Sequence, residues 1–258
     1  AQGPERRRGA ESREPRTKNR QRQACPPTAG RRGQGSGASD EMNRERGVIF
    51  DFDGVLVDSE PLHVRAFQDV LAVYGRPLTD AEYYANYIVY SDREVLERLL
   101  PAGEVLEAAL AAKVRRYQEL MEGGVPVFQD CLALLARTDG WRVGLATGSI
   151  RHEVERVLQS LCIRGRFATI VTREDCERGK PDPEPFLRAA RGLALHPRRC
   201  VAIEDTPGGI RAAKAAGMAC VAVTHSCPRE SLAEADLVVD DLSIVRLAAV
   251  LPDGDDIG

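Results

Sequence analysis

An apolar run leads into two closely spaced acids in the stretch Gly47-Val48-Ile49-Phe50-Asp51-Phe52-Asp53-Gly54. The apolar run predicts a short buried strand, and Gly54 predicts the turn that ends it. Side chains alternate along a strand, so Asp51 and Asp53 are expected to leave its end on the same side. Most isolated acid pairs of this spacing are solvated turns. Two acids that follow a buried strand of an open α/β sheet lie instead where such sheets bind ligands, and a divalent cation usually offsets their charge.

Length and composition narrow the class of protein. The chain has 258 residues, of which 43% are hydrophobic, enough for one large or two small domains. It contains no run of eighteen apolar residues and no apolar segment near its N-terminus, so neither a membrane span nor a secretory signal is expected. Seven cysteines without a C-x-x-C pair favour buried, reduced thiols and a cytoplasmic protein. We also expect a monomer.

Residues 1–41 differ in composition from the rest of the chain. They hold ten basic and five acidic residues and almost no large apolar side chain. Such a segment cannot bury enough surface to offset its ordering entropy, so we predict a disordered basic arm. The arm could bind nucleic acid, but the alternative is favoured that Met42 is the translation start and the arm is not native.

From Gly47 onward, short apolar segments alternate with amphipathic ones. This alternation predicts a Rossmann-like α/β fold, a parallel sheet with helices on both faces. Strands are predicted at 47–52, 142–146, 167–171, 200–204, 219–223 and 236–240. Helices are predicted near 130–138, 151–161, 183–191, 207–216 and 242–250.

The stretch from about 59 to 125 breaks the alternation because its apolar spacing is helical throughout. It is too long for one crossover helix. We therefore predict a small helical cap domain at 59–125, inserted after the first strand, and a catalytic core formed by 42–58 and 126–258.

Three further segments follow predicted strands and carry polar groups suited to phosphate chemistry. Thr147-Gly148-Ser149 aims a hydroxyl and backbone N–H groups at an anion, with Ser149 also expected to cap the next helix. Lys180 lies between Gly179 and Pro181, which favours a fixed charge over a solvated one. Glu204-Asp205 forms a second acidic strand end, which suits a hard cation, although two acids can also serve only the dipole of the next helix.

With these four segments in order, the chain resembles the haloacid-dehalogenase-like hydrolase superfamily, in particular its phosphoglycolate phosphatase and β-phosphoglucomutase branch. The resemblance covers residues 47 to about 241. It implies that Asp51 is a nucleophile, Asp53 a general acid/base, and that Thr147 with Gly148 and Lys180 binds the transferring phosphoryl group. It also implies a Mg²⁺ site of Asp51, the Asp53 backbone carbonyl, Asp205 and Glu204.

The resemblance further places His63, Arg65 and Lys113 in or near the substrate face of the cap, although each has an alternative as an ordinary helix-surface residue. The mutase pattern carries an arginine early in the cap, which the tyrosine-rich stretch 83–90 lacks. An acid at position 53 argues against the dehalogenase reaction, because a phosphatase needs it to protonate the leaving oxygen.

The leading hypothesis is a Mg²⁺-dependent phosphatase that acts on a small phosphorylated metabolite through an aspartyl-phosphate, without a membrane or nucleic-acid partner. One alternative is a hexose-phosphate mutase of the β-phosphoglucomutase type. Another is a non-catalytic binding module that uses the basic arm on nucleic acid.

Overall fold

The structure, a computed structural model, describes residues 45–88 and 90–251. The predictions for residues 1–41 and Met42 lie outside the described residues. Within these two ranges, six strands form one sheet, and all the pairings between them are parallel. The strands are β1 (Arg46–Phe50), β2 (Trp141–Ala146), β3 (Thr169–Val171), β4 (Cys200–Glu204), β5 (Ala219–Val223) and β6 (Leu237–Val239).

The strand order is β3-β2-β1-β4-β5-β6, which puts β1 and β4 at the centre. Phe50 pairs in register with Leu145 of β2 and with Ile203 of β4, and the Asp51 backbone N–H donates to the Ile203 carbonyl at 2.9 Å. The three polar segments that follow these strands therefore reach the same edge of the sheet. This architecture confirms the predicted fold class.

Helices cover both faces of the sheet, because consecutive side chains of each strand point to opposite sides. In β1, Val48 and Phe50 belong to one apolar cluster and Ile49 to the other. The helices that alternate with the strands are α5 (Gln129–Leu135), α6 (Arg151–Ser160), α7 (Glu184–Gly192), α8 (Pro207–Ala215) and α9 (Leu247–Val250). The helix predicted at 242–250 is wrong in its first half, which is a 3₁₀ turn over Leu242–Ile244.

The described residues of segment 59–125 form four helices, as the apolar spacing predicted. They are α1 (Glu60–Val73), α2 (Asp80–Asn86), α3 (Asp92–Leu99) and α4 (Glu104–Glu122). Thr79 and Ser91 accept backbone N–H groups at the starts of α2 and α3, which satisfies donors that a helix start leaves unpaired. The four helices share an apolar cluster of their own, with Phe67, Leu71 and Leu96 fully buried. Their status as a separate cap domain stays a prediction.

The expectation of buried, reduced thiols holds for Cys131, Cys200 and Cys220, whereas Cys176 and Cys227 are free but only partly buried. It is wrong for Cys162, which is disulfide-bonded. Within the described part of the chain, none of the helices combines the length and the apolar character needed to cross a membrane.

Candidate active site

Three acidic side chains meet where the two central strands end. Asp51 follows β1, Glu204 is the last residue of β4, and Asp205 comes next. One carboxylate oxygen from each lies within 4.8 Å of the others. The structure thus brings together the two acidic strand ends that the sequence placed far apart along the chain.

Lys180 lies between two of these carboxylates. Its Nζ is 2.8 Å from Asp51 Oδ1 and 2.5 Å from Glu204 Oε1. Burial alone would lower the pKa of Lys180, but the two carboxylates outweigh it and raise this pKa, so the ammonium group stays charged. Burial also raises the pKa of Asp51 to about 7, against the opposing effect of Lys180 and with support from the negative charge of Glu204. One lysine therefore does not offset the negative charge collected here.

One carboxylate oxygen of Asp205 differs from the others in its hydrogen bonding. Asp205 Oδ1 is buried and has no hydrogen-bond partner among the described residues, and burial beside Glu204 and Asp51 raises the pKa of the Asp205 carboxyl group. Buried polar atoms are normally paired, and a carboxylate oxygen is a preferred ligand of a hard cation such as Mg²⁺. The donor set formed by Asp51 and Asp205 therefore fits the predicted cation.

Glu204 is bound differently, because both of its oxygens already have protein partners. Oε1 accepts from Lys180, and Oε2 accepts from the backbone N–H groups of Asp205 and Thr206 at 3.1 and 3.3 Å and from the Thr206 hydroxyl at 3.1 Å. Glu204 therefore anchors Lys180 and the start of α8, where Thr206 is the N-cap. Its role as a metal ligand stays a prediction.

Two glycines let the backbone come close to these acids. Gly54 has φ +74°, and a Cβ there would lie 1.8 Å from Asp205 Oδ2. A Cβ on Gly209 would lie 1.9 Å from the carboxyl carbon of Glu204. Side chains at these two positions would displace the acids, so the site depends on their absence.

Asp53 is held by two serine hydroxyls. Ser59 donates to Oδ1 at 2.6 Å, and Ser149 donates to Oδ2. The expectation that Ser149 caps the next helix is wrong, because Ile150 occupies the N-cap of α6 and Ser149 bonds Asp53 instead. Ser59 likewise stands at the N-cap of α1 without a side-chain cap bond. Sequence reasoning missed both contacts, since a serine before a helix predicts a cap.

The predicted phosphate-binding residues lie between two cavities. The main cavity has a volume of about 700 Å³ and is lined by Asp51, Asp53 and Asp205. A second cavity of about 550 Å³ adjoins it, and Thr147, Gly148 and Lys180 line both. A phosphoryl group at this junction would meet the Thr147 hydroxyl, the Lys180 ammonium group and Asp51 together.

Two of the predicted cap residues, His63 and Lys113, form a hydrogen-bonded cluster with Asp92. The Lys113 side chain is 1% exposed, and its Nζ lies 2.6 Å from both Asp92 Oδ2 and His63 Nδ1. Burial lowers the pKa of Lys113. Burial would raise the pKa of Asp92, but its bonds to His63 and Lys113 outweigh this and lower it to about 2. This cluster neutralises its own charge, and none of its members is among the lining residues of the main cavity.

Arg65 lies on the exposed side of α1, where its Nε is 3.0 Å from Asp69 and its side chain is 61% exposed. It is not among the residues that line either cavity. Substrate contact by Arg65, His63 or Lys113 stays a prediction.

Comparison with known proteins agrees with this geometry. Residues 48–223 match the family model of the haloacid dehalogenase-like hydrolases. The chain is 32% identical over 213 residues to validoxylamine A 7'-phosphate phosphatase of Streptomyces hygroscopicus subsp. limoneus, an alignment that covers 80% of this chain and 98% of the relative. It is 34% identical over 188 residues to phosphoglycolate phosphatase of Yersinia pseudotuberculosis, covering 70% and 81%.

Solved structures give the same result. CbbY from Rhodobacter sphaeroides in complex with phosphate superposes with a TM-score of 0.66 at 28% identity, covering 80% of this chain and 99% of CbbY. β-Phosphoglucomutase from Clostridium difficile superposes with a TM-score of 0.65 at 27% identity, covering 80% and 95%.

An α/β sheet with acids, a lysine and a threonine at one edge, together with these relatives, indicates a phosphoric monoester hydrolase. The chain belongs to the haloacid dehalogenase-like hydrolase family, as the resemblance indicated.

Proposed function

We propose that the chain is a Mg²⁺-dependent phosphatase that hydrolyses a small phosphate monoester through an aspartyl-phosphate. The observation that carries the proposal is the convergence of Asp51, Asp53, Thr147, Lys180 and Asp205 on one cavity. The phosphatase names of the relatives support the same reaction class.

In the proposed reaction, an Asp51 carboxylate oxygen attacks phosphorus and the bond from phosphorus to the ester oxygen breaks. Asp53 donates its proton to the leaving oxygen, which departs as an alcohol. Asp53 then takes a proton from water, and the resulting hydroxide attacks phosphorus, so that inorganic phosphate leaves and the Asp51 carboxylate is restored. Lys180 and Thr147 bind the phosphoryl oxygens.

Asp51, Asp205 and the backbone carbonyl of Asp53 would hold the metal ion, with Glu204 beside them. When bound, Mg²⁺ would offset the charge of the carboxylates and of the substrate phosphate. The Oδ1 of Asp205, which has no hydrogen-bond partner among the residues that the structure describes, supports this assignment.

A mutase is the second candidate, because β-phosphoglucomutase is among the structural relatives. The charges in the main cavity favour the phosphatase. Among its lining residues, as far as the structure describes them, the cationic side chains are Lys180 and Arg211, and Lys180 is already bound to Asp51 and Glu204. Asp58 and Glu60 also line the cavity and would repel the second phosphate of a bisphosphate.

The test is phosphate release from a panel of phosphorylated metabolites, with and without Mg²⁺ and with and without a hexose bisphosphate. A phosphatase releases phosphate in Mg²⁺ alone, whereas a mutase needs the bisphosphate and yields an isomeric sugar phosphate. The Asp51→Asn variant should be folded but inactive, because an amide is a poor nucleophile. Activity like that of the wild type in this variant would exclude the covalent mechanism.

Monomeric state, cytoplasmic location and the absence of a nucleic-acid partner remain predictions. Sedimentation of the full chain and a salt-dependent binding assay before and after deletion of 1–41 would test the first and the last.

A further inference from the structure

Two consecutive residues after β5 contact the two acidic strand ends. His225 contacts the turn that follows β1, and Ser226 contacts Asp205 after β4. His225 Nδ1 lies 2.9 Å from the carbonyl oxygen of Gly54, and Nε2 lies 3.1 Å from Asp130 Oδ2. The imidazole is 11% exposed and stacks on Phe128 with ring centroids 3.7 Å apart and planes 10° apart. Since the Gly54 carbonyl only accepts hydrogen bonds, this contact requires a proton on Nδ1.

The residues on each side of the ring are themselves hydrogen-bonded to other parts of the core. Asp130 belongs to α5, and its Oδ2 also accepts the Leu242 backbone N–H at 2.8 Å. Phe128 lies between α4 and α5, directly before α5, and its backbone N–H donates to the Leu56 carbonyl at 3.1 Å. His225 therefore connects the turn at Gly54 to α5 and to Phe128.

The next residue, Ser226, acts on the other acidic end. Its side chain is hydrogen-bonded to Asp205, and its Oγ lies 2.5 Å from the place where a Cβ on Gly54 would be. The Gly54 turn is thus enclosed by His225, Ser226 and Asp205. The backbone at Gly54 also sets the position of Asp53, which directly precedes it.

We propose that His225 is a positioning residue for Asp53, which it keeps in place by donating Nδ1–H to the Gly54 carbonyl. The inference rests on the proposed phosphatase function, in which Asp53 transfers protons to and from the reacting oxygens. Proton transfer depends on placement, and a displacement of 1 Å can lower a rate by about 10²-fold.

Two amide substitutions separate the contacts of the ring. The amide nitrogen of His225→Asn lies near the position of Nδ1 and keeps a donor for Gly54. The longer side chain of His225→Gln reaches toward the position of Nε2 and keeps the contact with Asp130 instead. Both variants lose the stacking on Phe128, so each is a control for the other.

The experiment measures kcat and KM for p-nitrophenyl phosphate and for glycerol phosphate, together with the melting temperature. We expect His225→Asn to keep kcat within about 3-fold of the wild type and His225→Gln to lose roughly 10- to 100-fold in kcat, with KM changed by less than about 3-fold. The loss should be larger for glycerol phosphate, whose leaving oxygen needs the proton from Asp53.

Equal losses in the two variants, or losses that follow the melting temperature, would overturn the proposal. Full activity of His225→Gln would do the same. If His225→Gln does not fold, Asp130→Asn replaces it. That change leaves the Gly54 contact in place, so we expect a kcat within about 3-fold of the wild type, and a tenfold loss contradicts the proposal. Failure of the proposed function is distinguishable, because the wild type itself would then release no phosphate.

Discussion

At the scale of single residues, two serine hydroxyls hydrogen-bond Asp53 instead of capping the helices beside them. Ser59 and Ser149 stand at or next to helix starts, yet both donate to Asp53 and neither caps its helix. A cap bond contributes typically about 1 kcal/mol to helix stability. Neither helix receives this contribution from its serine. The two hydroxyls instead orient both oxygens of the Asp53 carboxylate.

The role of Asp53 can be tested through the leaving group. Asp53→Asn keeps the shape of the side chain but cannot donate or accept the catalytic proton. We expect hydrolysis of an alkyl phosphate to fall by roughly 10²–10⁴-fold and hydrolysis of p-nitrophenyl phosphate to fall less, since its leaving group needs little protonation. Stopped-flow measurement should show a burst of p-nitrophenol before a slow phase, because water activation is also lost. A loss of equal size for both substrates, without a burst, would restrict Asp53 to a structural role.

The pKa of Asp51 predicts how the stability of the metal-free protein depends on pH. Burial raises this pKa from 3.8 to about 7 in the folded state. Between those values the folded protein binds more protons than the unfolded one, so its free energy of unfolding decreases as the pH rises. In chelator, we therefore expect the melting temperature to fall by several degrees as the pH rises from about 5 to about 8, and the raised pKa of Asp205 acts in the same direction.

The control for this pH dependence is Asp51→Asn, which removes the titrating group and should give a shallower curve. Lys180 adds nothing over this range, because its raised pKa leaves it protonated in both states. Two curves of the same steepness would mean that Asp51 is not the group responsible.

At the scale of elements, the strands were easier to predict than the contacts between them. Apolar runs placed β4 and β5 with the bounds that the structure shows, because buried strands of a parallel sheet need continuous apolar sequence. The segment 242–250 has the same apolar spacing as a helix, but Asp241 accepts the Ser243 backbone N–H and starts a 3₁₀ turn there. Local side-chain bonding of this kind competes with the helix and leaves no trace in apolar spacing.

Contacts made across the fold were beyond sequence reasoning for a related reason. The motifs predicted that Asp51, Lys180 and Asp205 meet, because strand ends converge. Nothing local indicates that Ser149 reaches Asp53, that Asp92 neutralises Lys113, or that His225 reaches Gly54, since each of these pairs depends on packing between segments that are distant in sequence.

The first turn of α8 offers a matched pair of substitutions. Gly208 and Gly209 are adjacent. Apart from its chain neighbours and the backbone of its own helix, no atom of the described residues would lie within 4 Å of a Cβ on Gly208, whereas a Cβ on Gly209 would lie 1.9 Å from the Glu204 carboxyl carbon. We expect Gly208→Ala to leave stability unchanged or to raise it by up to about 1 kcal/mol, because alanine favours a helix.

Gly209→Ala should instead displace Glu204 and with it the partner of Lys180. We expect a loss of about 1–3 kcal/mol in the free energy of unfolding, as for other forced contacts in a packed interior, and a lower kcat. Urea unfolding of the two variants beside the wild type measures the difference. If Gly209→Ala is as stable and as active as Gly208→Ala, the close approach of α8 to Glu204 is not required.

At the scale of the whole molecule, the central feature is a cluster of negatively charged groups at the ends of the two central strands. Asp51, Glu204 and Asp205 are buried together with one lysine, which raises the free energy of the folded state. The rest of the core must offset this cost until a cation binds. Sites that carry out chemistry are where such local destabilisation is expected in an otherwise consistent fold.

The metal should therefore stabilise the entire protein. An ion that binds only the folded state adds about 2.7 kcal/mol at a concentration 100 times its Kd, which corresponds to a rise in melting temperature of roughly 5–10 °C for a protein of this size. We expect millimolar Mg²⁺ to produce such a rise at pH 7.5. Asp205→Ala should reduce it to near zero, because this substitution removes the carboxylate whose Oδ1 lacks a partner. Asp139→Ala is the control, since Asp139 has a side chain that is 94% exposed, and it should respond to Mg²⁺ as the wild type does. Melting curves of the three proteins with and without the ion decide the matter: an equal rise in all three would place the binding site elsewhere, and no rise in the wild type would contradict a shared metal site at these strand ends.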